Sequence, residues 1–482
     1  MNPISSNCYT ALPAGLFSHD APVPVAQPRL LLLNDALLDE YGLAPDWFRS
    51  AEALAILSGG VGNPANPPLA MAYAGHQFGQ RVPLLGDGRA HMLGQMDTTR
   101  GLIDVQLKGS GPTTYSRGGD GRATLSSVLR EYIISEAMAG LGIPTTRSLA
   151  VIATGEPVFR ERPEPGGILA RTAQSHIRVG SFQLAASHTD AEVLRALTDH
   201  MLAQHFPECR QADNPYLALL AAASRRQAQL IAQWMLVGFI HGVMNTDNMS
   251  IVGETIDFGP CAFMDEFNFD KVFSSIDRRG RYAWSRQPGI GLWNLTRLAE
   301  TLLPLLEDDA ENAVRQAEAT LEKFMPLFQE SFYEGMRLKL GLPDQTDATV
   351  SIADRTLEML HAQAIDMTVF FDTLTHAAIT GSDTALRSLL ADVADAQDWL
   401  DAWHAARAPD AAGTMRRANP AVIARNHRVE EALRAATEHD DLGPVLRLVA
   451  ALRTPFDCAD EHRDLQAPPR PEERVTQTFC GT

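Results

Sequence analysis

The hydrophobic period changes near residue 190, and this limits the available folds more than any other feature of the chain. Before that point short apolar stretches alternate at period two between glycine-rich turns. After it, apolar residues recur every three or four positions in runs such as EVLRALTDHMLAQHF and, from Leu217, LALLAAASRRQAQLIAQWMLVGFIHG. A mixed α/β unit followed by a largely helical one, an α+β arrangement, satisfies both patterns. A chain of 482 residues exceeds one average domain, so a cleft between packed units is expected. The boundaries read as an N-terminal extension packing on the core over 1–70, a glycine-rich mixed lobe over 71–190, a mainly helical lobe over 191–345, and a helical extension with a polar tail over 346–482.

Within the first lobe, LIDVQLKG places Ile103, Val105 and Leu107 on one side of a strand and Asp104, Gln106 and Lys108 on the other. HMLGQM, SLAVIAT, EPVFRE and GGILART are further strand candidates. The run 123–142 reads as a helix with Leu125, Val128, Leu129, Tyr132 and Ile133 on its inner stripe. Glu131 lies beside that stripe and Arg130 nearly opposite. Earlier, PRLLLLNDALLDEYGL reads as a short helix with Leu32, Leu33, Leu37 and Leu38 on one face.

A net charge of −18 repels nucleic acid but leaves room for a small phosphate ligand held by a few arginines. No apolar run approaches the roughly 20 residues that span a bilayer, and the start MNPISSNCYTALPAGL lacks the pattern of a secretory signal. A cytoplasmic protein with no membrane or nucleic-acid partner is expected. Cysteines 8, 209, 261, 458 and 480 form no Cys-x-x-Cys pair, so reduced thiols are the default.

The chemistry concentrates in HGVMNTDNMSIVGETIDFGPC, 241–261. Asn248 and Asp257 offer hard oxygens suited to a divalent cation beside phosphates, and Asp247 could orient or deprotonate an attacking hydroxyl. If SIV and ETI pair as a small hairpin around Gly253, Asp257 returns toward Asp247 and Asn248. Asp-Asn pairs also make plain turns, and three-residue motifs recur by chance.

Lys108 and Glu131 could form an ion pair that holds the ammonium toward phosphate oxygens. Arg171 and Arg178, seven residues apart, would align over two helical turns and clasp a polyphosphate, while His176 reads as a packing or hydrogen-bonding residue and not a base. GDGRA occurs at 86–90 and at 119–123, so Gly86, Gly88, Gly119 and Gly121 read as turns that let backbone approach phosphate. Neither piece is a P-loop or a dinucleotide fingerprint. The residues alone support metal-dependent nucleotide chemistry and leave open a phosphate-transferring kinase or an inactive nucleotide-binding scaffold.

The order of glycine loop, strand lysine, helix glutamate, helical region, Asp-Asn and DFG resembles the protein-kinase core. The HRDxxxxN loop is absent, since the acidic residue directly precedes Asn248. The strings YAGHQFG, LGDGRA, LKGSGPTTYSRGGDGRA, LREYIISEAM, HGVMNTDNMS, TIDFGPCAFMD and TFCGT are similar to those of the selenoprotein O family.

That resemblance implies a kinase-like two-lobed fold with a mixed α/β first lobe, a helical second lobe and a helical extension. It also implies transfer of AMP from ATP to protein Ser, Thr or Tyr hydroxyls, with UMP transfer in the presence of Mn²⁺ as a related activity. On this resemblance Lys108, held by Glu131, contacts the outer phosphates together with Arg171 and Arg178. Gly86, Gly88, Arg89, Asp120 and Gly121 line the nucleotide site, Asn248 and Asp257 hold Mg²⁺ or Mn²⁺, and Asp247 is the proton acceptor. The same resemblance implies a redox-sensitive Cys261–Cys480 disulfide.

Overall fold

The computed structural model describes residues 2–60, 66–390, 394–457 and 459–479. Its first lobe is built on a seven-stranded antiparallel sheet in the order Ile4–Ser6, Ala90–Thr98, Gly101–Lys108, Pro163–Ala173, Arg147–Phe159 and Arg29–Leu33, with Ala123–Thr124 paired beside Pro163–Ala173. The period-two reading of 102–109 holds: Ile103, Val105 and Leu107 are buried against Leu37, Leu38 and Tyr41 of the helix Asp35–Tyr41. SLAVIAT and the EPVF of EPVFRE, separate candidates in the sequence, form one long bulged strand, Arg147–Phe159.

The other face of that strand departs from the usual polar-out pattern. Asp104 and Gln106 are wholly buried, because this face is covered by the second layer of the lobe and its polar groups are bonded to one another. The leucine-rich segment also differs from expectation. Arg29–Leu33 is an edge strand paired with Arg147–Phe159, and the helix begins only after the Asn34 cap. Four consecutive leucines fit an edge strand that is half covered on both sides, where helical spacing would have left two of them outside.

The helix Leu125–Gly140, capped by Thr124, packs under the sheet. It is buried all round, and Arg130, read as pointing outward, is only 7% exposed. The cause is distant in sequence: the helices Asn426–His439 and Gly443–Arg453 of the C-terminal extension cross back onto it. Arg130 Nη2 donates to the Cys261 carbonyl at 2.7 Å and its Nη1 pairs with Glu430 at 3.2 Å. The extension therefore braces the helix that carries Glu131.

The second lobe is helical, centred on Pro215–Leu236 packed against Gln287–Leu306 and Phe324–Leu340. Asn214 caps the long helix and a proline at its first position fits the start, where no intrahelical N–H bond is lost. Among the described residues no helix is long and apolar enough to cross a membrane.

Candidate active site

Between the lobes lies a cavity of about 1020 Å³ lined by Gly86, Gly88, Arg89, Lys108, Asp120, Gly121, Glu131, Arg171, Asp247, Asn248 and Asp257, among others. Eleven of the twelve described residues expected at the nucleotide site thus line one cavity, and Arg178 is not among its lining residues. The turns come first in the construction. Gly86 has φ +113° and packs its Cα against the Tyr115 ring, so a side chain there would meet both a forbidden dihedral and an aromatic ring.

Lys108 ends its strand and meets the helix glutamate directly: Nζ donates to Glu131 Oε2 at 2.5 Å and to Asp257 Oδ1 at 3.1 Å. Arg171 bonds the same two carboxylates, at 2.9 Å to Glu131 Oε1 and 2.7 Å to Asp257 Oδ1. Burial alone would raise the Glu131 pKa, but Lys108 and Arg171 override it and hold the carboxyl below its ordinary range. Asp257 is likewise opposed by burial and is held well below the usual range by Lys108, Arg171 and Arg178. It stays ionised at neutral pH.

The arginines reach this cluster by a route different from the expected helix. Arg171 lies on the strand Pro163–Ala173, and Arg178 is the N-cap residue of the helix Val179–Ala185. No helix spans the two, since the chain between them is loop. Arg178 Nη1 donates to the Asp247 carbonyl at 2.7 Å and to Asp257 Oδ2 at 2.8 Å, while its Nη2 is buried and donates to nothing among the described residues. Arg178 also stacks over the Tyr73 ring at 4.7 Å.

The hairpin expected between Asp247 and Asp257 does not form. Ser250 bridges to Arg178 and Thr255 to Thr145, so each half of the segment pairs with the first lobe and not with the other half. The consequence foreseen for it survives: Asp257, at φ +62°, returns beside the Asp247 backbone through Arg178. His176 is buried with Nδ1 3.1 Å from Asp104 Oδ2, the hydrogen-bonding alternative of the two expected for it.

Asp247 Oδ2 accepts a hydrogen bond from Gln77 Nε2 at 3.2 Å, and Oδ1 accepts none among the described residues. Burial pushes its pKa up to about 6, against the Gln77 hydrogen bond, which lowers it. Asn248 commits its amide nitrogen to the Val243 carbonyl at 3.0 Å, leaving the carbonyl oxygen as the atom available to a cation. Asn248 Oδ1 and the Asp257 carboxylate, both lining the cavity, are hard oxygen donors of the kind that would suit Mg²⁺ or Mn²⁺ beside phosphate, although Lys108, Arg171 and Arg178 already pair with the Asp257 oxygens. The described residues contain no cluster of three or more His, Cys, Asp or Glu of the sort that holds a metal unaided.

Asp120 and Arg160, which also line the cavity, pair at 2.8 Å, and Arg160's hydrogen bond is the main cause of the lowered Asp120 pKa. Three participants were missed in the sequence reading. Gln106 accepts both Arg171 Nε, at 2.9 Å, and Nη2, at 2.7 Å, and donates to Asp87 Oδ2 at 2.8 Å. Asp87 is buried within GDGRA, and Gln77 lies in YAGHQFG. Gln106 could have been found, since it shares its strand face with Lys108. Nothing local distinguishes Gln77.

Cys480, and with it the expected Cys261–Cys480 disulfide, lies outside the described residues. The preceding tail is docked: Thr478 Oγ1 donates to the Pro260 carbonyl at 2.5 Å and its N–H to the Phe273 carbonyl at 2.8 Å, beside buried Cys261.

A mixed sheet lobe over a helical lobe, with a strand lysine, helix glutamate and DFG aspartate joined in the cleft, defines a kinase-like fold. A profile of the family described as protein adenylyltransferase SelO matches residues 10–453, and the chain belongs to that family. It is 51% identical to a protein nucleotidyltransferase YdiU of Bradyrhizobium sp. strain BTAi1 over 99% of this chain and 98% of the relative. Proteins of the same description match at 50% identity in Shewanella denitrificans, over 100% and 98%, and at 52% in Rhodopseudomonas palustris strain BisB5, over 99% and 98%. Family membership makes the chain a nucleotidyltransferase.

Proposed function

We propose that the protein transfers AMP from ATP to Ser, Thr or Tyr hydroxyls of other proteins and releases pyrophosphate. The observation that carries this reading is the Lys108–Glu131–Arg171–Asp257 cluster set in a cavity that glycine turns also line. A triphosphate laid in such a cavity would meet both cationic side chains and closely approaching backbone.

In the proposed reaction the acceptor oxygen forms a bond to the α-phosphorus as its proton passes to the Asp247 carboxylate. The bond from that phosphorus to the bridging oxygen breaks, and pyrophosphate leaves with the electron pair. Lys108 and Arg171 offset charge on the outgoing oxygens. Arg178 holds Asp257 and the Asp247 backbone in place. Gly86, Gly88, Arg89, Asp120 and Gly121 would line the rest of the nucleotide, and Asn248 and Asp257 would hold Mg²⁺ or Mn²⁺. Such an ion supplies positive charge at the transferring phosphate.

Parallel incubations with α-labelled and γ-labelled ATP, each with Mg²⁺ or Mn²⁺, test the proposal, with α-labelled UTP and Mn²⁺ as a further arm for UMP transfer. Label entering protein from α-labelled ATP alone supports it. Label from the γ-position alone identifies a kinase, and label from neither, with several candidate acceptors, identifies a nucleotide-binding scaffold.

A further inference from the structure

The motif YAGHQFG folds directly onto the loop that carries Asp247. Gly75–Gln77 and Gln80–Val82 form a tight hairpin, turned by Phe78 at φ +52° and Gly79 at φ +82°. Its three central residues meet three consecutive residues of the loop. The His76 N–H donates to Thr246 Oγ1 at 2.7 Å, the Phe78 N–H to Asn245 Oδ1 at 2.9 Å, and the Gln77 side chain to Asp247 Oδ2 at 3.2 Å. In an extended chain the N–H groups of alternate residues share one edge, which is why 76 and 78 both face the loop.

The flanking contacts are secured independently of Gln77. Thr246 Oγ1 donates to Gln183 Oε1 at 2.7 Å, and Gln183 Nε2 lies 2.8 Å from His76 Nδ1, closing a ring of three residues through the His76 backbone N–H. Asn245 Oδ1 also accepts from the Tyr282 hydroxyl at 2.6 Å. Beneath the carboxylate, Gly75 leaves space that nothing larger could leave: a Cβ there would lie 2.6 Å from Asp247 Oδ1 and 2.9 Å from Leu85 Cδ1. One carboxylate oxygen is therefore seated over a glycine and the other tied by an amide.

We infer that Gln77 is a positioning residue for nucleotidyl transfer, fixing the plane of the Asp247 carboxylate, and that Gly75 supplies the seat. The inference rests on the reading of Asp247 as proton acceptor. A carboxylate has a freely turning terminal torsion, so a single hydrogen bond decides which lone pair meets the acceptor hydroxyl. Gln77 acts on the proton-accepting geometry and leaves nucleotide binding alone.

The test compares wild type with Gln77→Leu, Gln77→Lys, Gln80→Leu and Asp247→Asn, measuring kcat and KM with α-labelled ATP together with the thermal midpoint. Gln77→Leu should lower kcat by about 10-fold to 100-fold with KM for ATP unchanged. Gln77→Lys, which restores a donor of similar reach, should recover much of that loss. Gln80→Leu, on the exposed strand of the same hairpin, should leave both constants unchanged. An unchanged kcat in Gln77→Leu alongside an inactive Asp247→Asn overturns the inference, as does a loss carried by KM alone. If Gln77→Leu lowers the thermal midpoint, recovery of kcat by Gln77→Lys decides for the inference and no recovery decides against it. An active Asp247→Asn overturns the underlying reading of Asp247 instead.

Discussion

Arg178 Nη1 lies 2.8 Å from Asp257 Oδ2 and, through the same nitrogen, 2.7 Å from the backbone carbonyl of Asp247. One guanidinium nitrogen therefore sets the spacing between the proposed base and the proposed metal ligand. Arg178→Gln removes the charge and leaves Asp257 with one oxygen unpaired by protein. The expected outcome is a fall in transfer of roughly 10²-fold or more and a loss of about 3–5 kcal/mol in urea unfolding. Wild-type stability with lost activity would place Arg178 on the substrate alone.

Lys108→Met should separate activity from stability. Glu131 and Asp257 both keep Arg171, at 2.9 and 2.7 Å, so neither carboxylate is abandoned when the ammonium goes. Label transfer from α-labelled ATP is expected to drop by roughly 10²-fold, while the thermal midpoint changes far less than in Arg178→Gln.

Glu254 gives the pH dependence. Its Oε2 accepts the Gln174 N–H at 3.0 Å, tying the loop before Asp257 to the segment between Arg171 and Arg178. Burial pushes its pKa up from 4.5 to about 8, with Asp104 adding to the rise and Arg147 and Arg100 opposing it. The folded state therefore holds the proton more tightly than the unfolded chain. Its stabilising effect is complete below the unfolded pKa and is lost as pH climbs through about 8. Thermal or urea unfolding of wild type against Glu254→Gln should show the difference widening in favour of the variant between pH 5 and pH 9, by at most about 1.4 kcal/mol per pH unit. A difference that does not vary with pH would contradict the raised pKa.

The docked tail bears on the expected disulfide. Thr478 is held against Pro260, the neighbour of Cys261, so the chain reaches the right region two residues before Cys480. Non-reducing peptide mapping after mild oxidation should yield the 261–480 crosslinked peptide. Thr478→Val should lower its yield, since removing one buried hydrogen bond costs the docked state about 1 kcal/mol. No crosslink after oxidation removes the pairing.

Much of the cluster could be read along the chain because its members lie on regular elements. Lys108 follows from period-two alternation and Glu131 from a helical stripe, and each projects where its element dictates. Residue type alone marks Arg171 and Arg178 as phosphate-binding candidates, but no helix aligns them. Their real placement depends on the strand Pro163–Ala173 ending between them. Arg130 was read as outward because nothing near it in sequence shows that helices beyond residue 426 return to cover it.

By itself the sequence determined the two structural regimes, the turn positions and the chemical inventory of the cleft, since these depend on periodicity and on side-chain type. Tertiary structure alone decided that Gln77 seats against Asp247, that Gln106 carries Arg171, and that the C-terminal extension braces the Glu131 helix. Those relationships join residues up to hundreds of positions apart, as with Arg130 and Glu430, whose separation is 300. Periodicity and propensity act over a few neighbours, whereas a hydrogen bond in the folded chain depends on which surfaces the whole core brings together.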